Sequence, residues 1–384
     1  MAQSDIPDLP GQLARARQAV NAGRFEGARA ICADIFTQDP GNLAALQIYM
    51  SATRIAPDDP VFARLRRYAR LRGLPADQAS QLQFMLGKGL DDLGLTAPAF
   101  AAFRRANALK PVRFDAQEKA GYARQLIEAA ARLRLARLPA ALPRLIFVLG
   151  MPRSGTSLMA QCLAAHPQVA SMGEMTALGA ALTDEGRLRL VDAMGGLTPE
   201  RLRRARARYL AAIPEALRAG GMLLVDKMPE NYWLAWAIPL LFPDAPILHM
   251  RRDRLAVCWS CYRNDFGQGH DYSYDFRNLL TQYDTQERLC AAWKAAAPGA
   301  WCDIELSQLA ARPQAALAPV LDRLGLPWDP ACLSPASEGK EVRTLSKYQV
   351  RRGIRPEIAE AWQAYAPLIQ KQWGALIARQ APAP

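Results

Sequence analysis

The stretch LIFVLGMPRSGTS, residues 145–157, decides the fold. Its first part, Leu145 to Leu149, is an unbroken apolar run with β-branched members, bounded by Pro143 and Gly150. That is the pattern of a short strand buried on both faces. From Thr156 the spacing turns helical. A strand that passes through a glycine-bounded loop into a helix presents backbone N–H groups and a helix N-terminus to an anion, typically a phosphate. The spacing is that of the loop G-x-x-x-x-G-K-[ST], but Thr156 stands where the lysine should be. That lysine would reach the β- and γ-phosphates of a nucleoside triphosphate, so its absence argues against ATP or GTP hydrolysis. Arg153, inside the loop, offers a fixed cation and a planar donor fork instead.

Beyond this stretch, further apolar runs at Met222–Val225, Ile247–Met250 and Trp301–Glu305 read as strands. Helical patterns occupy Thr156–Ala165, Pro199–Ala219, Tyr232–Leu241, Leu255–Asn264 and Pro313–Leu324, and the tail Arg355–Ala378 is helical again. Strands alternating with helices predict an α/β fold: a P-loop-like, three-layer parallel sheet with helices on both faces. Residues 1–142 have a different texture. They are rich in Ala, Leu, Arg and Gln, with no alternating β-branched runs, and predict an all-helical domain. Leu86, Gly87, Leu90, Gly94, Ala99, Phe103, Ala106 and Pro111 fall on the small and apolar positions of a tetratricopeptide repeat. A weaker copy includes Gly23, Ala28 and Pro40. Pro40 and Pro111 are separated by about two 34-residue repeats and a short insertion. The expected division is a tetratricopeptide-like repeat domain at 1–142 and an α/β domain at 143–384.

Composition narrows the function. Apolar residues make up 51% and charged residues 22%, which excludes disorder over most of the length. Lys and Arg number 48 against 36 Asp and Glu, a net charge of +12 that favours an anionic ligand. The start lacks a basic segment followed by an apolar run, so no secretory signal is expected. The longest greasy stretch, Trp233–Met250, is interrupted by Pro239, Pro243, Asp244 and Pro246 and cannot span a membrane. A cytoplasmic, bacterial-type protein is the expectation. Seven scattered cysteines read as reduced thiols. Cys258 and Cys261 lack a second pair to complete a zinc site and read as small apolar helix residues. With three histidines in the chain, no metal site is expected.

Pro152–Ser157, followed by His166-Pro167 and Gly173-Glu174, resembles the sulfotransferases that use 3′-phosphoadenosine 5′-phosphosulfate (PAPS). The likeness is greatest to the branch with tyrosylprotein sulfotransferases and bacterial tetratricopeptide sulfotransferases. It covers most of the chain, and three more segments follow in the family's order. Arg251-Arg252-Asp253-Arg254 through Ser260 resembles the segment that holds the cofactor's 3′-phosphate, with Arg252 and Ser260 at the family's spacing; Arg254 replaces a common proline or glycine. Asp226-Lys227-Met228-Pro229 resembles the Lys-x-Pro segment whose lysine lies beside the transferring group. Val342–Arg351 resembles the late loop, where Ser346 contacts the 5′-phosphosulfate and basic residues, Arg351 among them, close over the nucleotide. Ile304 stands where relatives often carry a tyrosine, a departure that puts one adenosine contact in doubt.

The resemblance implies sulfuryl transfer from PAPS to a hydroxyl acceptor, whether protein tyrosine, carbohydrate or small phenol or alcohol, by in-line displacement. Arg153, Lys227 and Ser346 would stabilise the leaving nucleotide. Glu174, expected at the end of a helix–loop unit, would be the base; Asp226 and Asp265 are the next candidates. Arg153, Ser154, Gly155, Thr156, Ser157, Arg252, Ser260, Ser346 and Arg351 would bind the cofactor. The repeats point to a peptide or protein partner, or to a homodimer; neither nucleic acid nor a membrane is implied. Two other readings stand beside this one: an atypical P-loop kinase, and a non-catalytic helical-repeat adaptor carrying a nucleotide-binding domain.

Overall fold

The run at 145–149 is buried at every position because it divides its side chains between two cores. Leu145, Phe147 and Leu149 join Tyr209, Tyr232, Phe242 and Trp293 in one cluster. Ile146 and Val148 join Met159, Leu163, Leu309 and Leu321 in the other. Successive Cβ atoms alternate across a strand, so a strand covered on both faces must be apolar throughout. The computed structural model describes residues 8–111, 114–267, 269–334 and 354–380.

Five strands, β1 (Leu145–Leu149), β2 (Val169–Gly173), β3 (Leu223–Lys227), β4 (Ile247–Arg251) and β5 (Trp301–Glu305), form a sheet in the order β2-β3-β1-β4-β5. Every pairing is parallel. The chain builds β2 and β3 on one side of β1, then crosses to build β4 and β5 on the other. Connections therefore diverge at the carboxyl end of β1, where open α/β sheets bind their ligands.

Among the described residues seven helices precede the sheet: α1 (Leu9–Asn21), α2 (Phe25–Gln38), α3 (Leu43–Ala52), α4 (Pro60–Tyr68), α5 (Ala76–Asp92), α6 (Thr96–Ala108) and α7 (Ala116–Arg132). Those that follow are α8 (Thr156–Ala164), α9 (Ala177–Leu182), α10 (Leu190–Gly195), α11 (Pro199–Ala211), α12 (Glu215–Ala219), α13 (Ile238–Leu241), α14 (Arg254–Tyr262), α15 (Phe276–Ala296), α16 (Leu306–Ala311) and α17 (Pro313–Leu324). A last long helix spans Ala366–Arg379. Residues of α8, α16 and α17 cover one face of the sheet. Residues of α7, α11, α13 and α15 cover the other.

In the helical half, α5 and α6 approach closely because Gly87 has no side chain. A Cβ there would lie 2.6 Å from the Phe103 ring, and one at Gly89 would lie 2.3 Å from the Phe62 ring. The two halves share apolar packing: Phe84, Phe100 and Phe103 sit in one cluster with Trp259, Tyr262 and Phe276. Ala123 and Leu126 of α7 enter the core beneath β1.

Several elements depart from the expected pattern; of the helix expected over Tyr232–Leu241, only the four residues of α13 are α-helical, after a tighter turn at Pro229–Trp233. β2, with the sequence VASMG, was not expected; as a half-exposed edge strand of small residues it carries no apolar run. The helix expected over Pro199–Ala219 is two, α11 and α12, with Pro214 between them. The 21-residue helix α15 was not expected either, because buried Gln282, Thr285 and Gln286 interrupt its apolar stripe. Gln282 donates to the Tyr232 hydroxyl at 2.7 Å, which is how polar groups come to be tolerated there.

Candidate active site

Gly150 is the hinge on which the site turns. Its N–H donates to the Pro229 carbonyl just past β3 at 3.1 Å. On the other side, a Cβ at this position would lie 2.5 Å from the Met250 carbonyl of β4. With φ at 144°, the residue occupies a backbone region open essentially to glycine. The loop then returns through Arg153, at φ 73°, to Gly155, which starts α8. A non-glycine residue in that left-handed region costs on the order of 1–3 kcal/mol and persists only where its surroundings hold it. Thr156 and Ser154 are buried, Ser157 and Gly155 partly so. The Ser154 hydroxyl lacks a partner among the described residues.

One group of side chains gathers on the β4 side. Arg153 donates from Nε to the Ser260 hydroxyl at 3.1 Å. Arg252 donates to the Arg153 carbonyl and to the Ile358 carbonyl, each at 2.9 Å. The Cys261 thiol donates to the Pro152 carbonyl at 3.3 Å, tying α14 to the loop. Asp253 accepts from the Ala256 N–H and caps α14, so the helix begins directly after Arg252. Ser260 then falls two turns on, facing the loop. Burial pushes the Arg153 guanidinium down to about 10, and burial with the neighbouring Arg153 charge does the same to Arg252. The Nε of Arg252 is buried without a partner among the described residues. Among the described residues no carboxylate pairs with Arg252. Arg252, which meets carbonyls among the described residues, lies beside the Arg153 guanidinium, and two neighbouring cations make a site that an anion would stabilise.

A second group lies on the β3 side, across β1. Lys227, the last residue of β3, forms an ion pair with Glu174. The lysine side chain is 4% exposed and the glutamate side chain 40%, so the carboxylate opens to solvent over a buried ammonium. Burial pushes the Lys227 amine down, against the pull of Glu174. Glu174 follows strand β2 rather than a helix–loop unit, and Gly173 before it adopts a φ of 74°. Neighbouring strands lie about 4.8 Å apart, so β3 and β4, with β1 between them, are about 10 Å apart and the two groups flank the loop.

Residues 143–330 match the model of the Sulfotransferase family. The α/β half of the chain belongs to this family. The chain is 27% identical over 361 residues to an uncharacterized protein of Aquifex aeolicus, a match covering 89% of this chain and 47% of that protein. It therefore spans about half the length of that relative. It is 28% identical to protein-tyrosine sulfotransferase 1 of Danio rerio, over 61% of this chain and 70% of the relative. The sulfotransferase domain of a Synechococcus PCC 7002 olefin synthase superposes with a TM-score of 0.43 at 23% identity, covering 60% of this chain and 91% of that one.

Within the sulfotransferase half, the other anticipated residues fall into place unevenly. Ser346 and Arg351 lie outside the described residues. Asp226 is wholly buried on the opposite face from Lys227, where it accepts from Tyr209 at 2.8 Å; burial raises its carboxyl to about 7. Asp265 is engaged by Lys110 at 3.1 Å and by Tyr274 at 2.7 Å. Neither acid is placed beside Lys227 as Glu174 is. His166 is structural: its Nδ1 accepts from the Gln168 N–H, leaving Nε2 to donate to the Pro327 carbonyl at 3.1 Å. Arg254 pairs with Asp284 at 2.5 Å, away from the loop, and Ile304 is buried in the core under β5. Among the described residues, Cys258 and Cys261 are free and buried, and no three His, Cys, Asp or Glu side chains gather as metal ligands. Sequence reasoning missed Asn107, whose amide reaches α14 from the helical half; a lone asparagine near a helix end carries no motif.

The contact at Gly150 yields a direct test. Gly150→Ala forces a methyl against a backbone carbonyl at a left-handed φ, and strain of this kind costs about 1–3 kcal/mol or more. A clearly lowered thermal midpoint is expected by circular dichroism. A native midpoint would contradict the close approach of β1, β3 and β4 described above.

Proposed function

We propose that this chain is a sulfotransferase that moves a sulfuryl group from PAPS to a hydroxyl acceptor. The observation that carries the reading is one phosphate-type loop flanked by two unlike groups: paired arginines with a serine on one side, a carboxylate over a buried lysine on the other. Arg252 and Ser260 would hold the 3′-phosphate, with Arg153 beside them. The loop N–H groups and hydroxyls at Ser154, Gly155, Thr156 and Ser157 would take the 5′-phosphate, and Ser346 and Arg351 would add to it. The buried Arg252 Nε and Ser154 hydroxyl, without partners among the described residues, fit such an anion. When bound, PAPS supplies the sulfuryl group and a phosphate as leaving group.

The chain's own residues then have distinct tasks. Glu174 accepts the acceptor hydroxyl's proton as the oxygen attacks sulfur. Lys227 donates to the oxygen whose bond to sulfur breaks, where negative charge grows. Holding the lysine in a buried setting strengthens that interaction, and Glu174 keeps it protonated in spite of the burial. A kinase reading lacks the lysine that Thr156 replaces. The acceptor falls within hydroxyl compounds; the name of the Danio rerio relative favours a peptide tyrosine among them. The division at 142 belongs to the same proposal, with a repeat-like helical domain ahead of the catalytic one and a peptide partner or a second copy as its ligand. So does a cytoplasmic location in a bacterial cell.

The test of the reading is nucleotide selectivity. Charge-assisted contacts are worth about 1.5–3 kcal/mol each, so adenosine 3′,5′-bisphosphate should bind more than about tenfold tighter than AMP by calorimetry. Equal affinities would defeat it.

Catalytic roles are tested by transfer of labelled sulfate. Glu174→Gln keeps shape and removes basicity, and turnover should fall about 100-fold or more with nucleotide affinity near native. Lys227 works only while protonated, and its amine is lowered by burial. Activity should therefore be lost on the alkaline side at a pH below the ordinary lysine range of about 10.4. Removing the Glu174 charge removes a group that raises the lysine, so the residual activity of Glu174→Gln should be lost at lower pH still. Native turnover in the Gln variant would assign the proton to another group.

A further inference from the structure

Ser260 stands in the last turn of α14, and that end of the helix is held by the helical half. Asn107, buried at the end of α6, donates from Nδ2 to the Tyr262 carbonyl and to the Phe103 carbonyl, each at 2.8 Å. Arg263 donates to Asp91 at the end of α5 at 2.6 Å. Lys110 pairs with Asp265 at 3.1 Å and with Asp77 of α5 at 2.9 Å. Phe100 stacks on Trp259 with ring centroids 5.2 Å apart, and Phe103 meets the same indole edge-on at 5.9 Å.

These contacts matter because of where they fall. The last carbonyls of a helix have no partner within it, and short helices fray from that end. α14 has nine residues. Its start is fixed by β4 and the Asp253 cap, but Ser260 lies within three residues of its end. Asn107 satisfies one of those terminal carbonyls from outside, and Asp91 anchors the residue that follows the helix. Together they hold wound the turn that aims the Ser260 hydroxyl at Arg153.

We propose that Asn107 and Asp91 are positioning residues for the 3′-phosphate subsite, so that the helical half sets the chain's preference for a nucleotide bearing that phosphate. The proposal rests on the nucleotide reading of the preceding subsection. It carries a corollary. Any ligand that moves the ends of α5 and α6 changes nucleotide affinity, and nucleotide changes the affinity for that ligand by the same factor.

The experiment is calorimetry on the full chain with adenosine 3′,5′-bisphosphate and with AMP. In Asn107→Ala the affinity ratio between the two should fall about threefold to tenfold, the scale of a misplaced charge-assisted contact, while AMP binds as in the native chain. Asp91→Asn, a milder exchange, should lower the ratio in the same direction and serves where Asn107→Ala folds poorly. Leu65→Ala, buried among the first helices away from α14, should lose thermal stability and keep the native ratio. A native ratio in both Asn107→Ala and Asp91→Asn would overturn the proposal and leave the nucleotide reading intact. So would an equal fall of the ratio in Leu65→Ala, which would make the effect one of stability alone. A native chain that does not discriminate between the two nucleotides would overturn the reading and this proposal together.

Discussion

The structure depends on one tight passage: the chain leaving β1 must turn between the ends of β3 and β4 with no room for a side chain. Gly150 makes that turn, with its N–H committed to Pro229 and its Cα pressed toward the Met250 carbonyl. Because β3 and β4 flank β1 directly, the loop is aligned against the residues that leave both strands. Lys227 arrives from one side and Arg252 from the other. The left-handed Arg153 is then carried toward α14 rather than into solvent, and its guanidinium meets Ser260. A fold with a wider gap at this point would scatter the same residues.

Placing cations at the end of a buried sheet is costly unless something compensates. The two sides of the loop solve this differently. Lys227 has a carboxylate, Glu174, and burial and pairing pull its amine in opposite directions. Arg252 has carbonyls only among its described partners, and burial lowers it. The first arrangement keeps a base and an acid side by side. The second favours an anion from outside. The helical half contributes by bracing α14, the element that both completes the second group and forms an aromatic seam with Phe100 and Phe103.

Much of this was legible in the residues because it is written in short-range terms. A five-residue apolar run bounded by proline and glycine marked β1, and the same reasoning marked β5 with matching limits. The loop was read from its spacing after a strand, whereas Arg252, Ser260 and Lys227 came from a resemblance to family segments that follow strand ends. The pairing of Glu174 with Lys227 was not legible, since it depends on β2 lying beside β3, and β2 is an edge strand of small, half-exposed residues. Nor was the grip of Asn107 on Tyr262, which joins residues 155 positions apart through a backbone carbonyl that has no sequence signature. Long-range polar contacts to the main chain leave the least trace in composition or period.

On the proposed function, one nucleotide lies across the carboxyl ends of β1, β3 and β4, with its 3′-phosphate on the β4 side. A crystal structure of the chain with adenosine 3′,5′-bisphosphate tests it most directly. The 3′-phosphate should lie within hydrogen-bonding distance of Arg252 and Ser260, and the 5′-phosphate against the loop N–H groups from Arg153 to Thr156. A nucleotide bound in the reverse direction, or with its 3′-phosphate away from both residues, would contradict it.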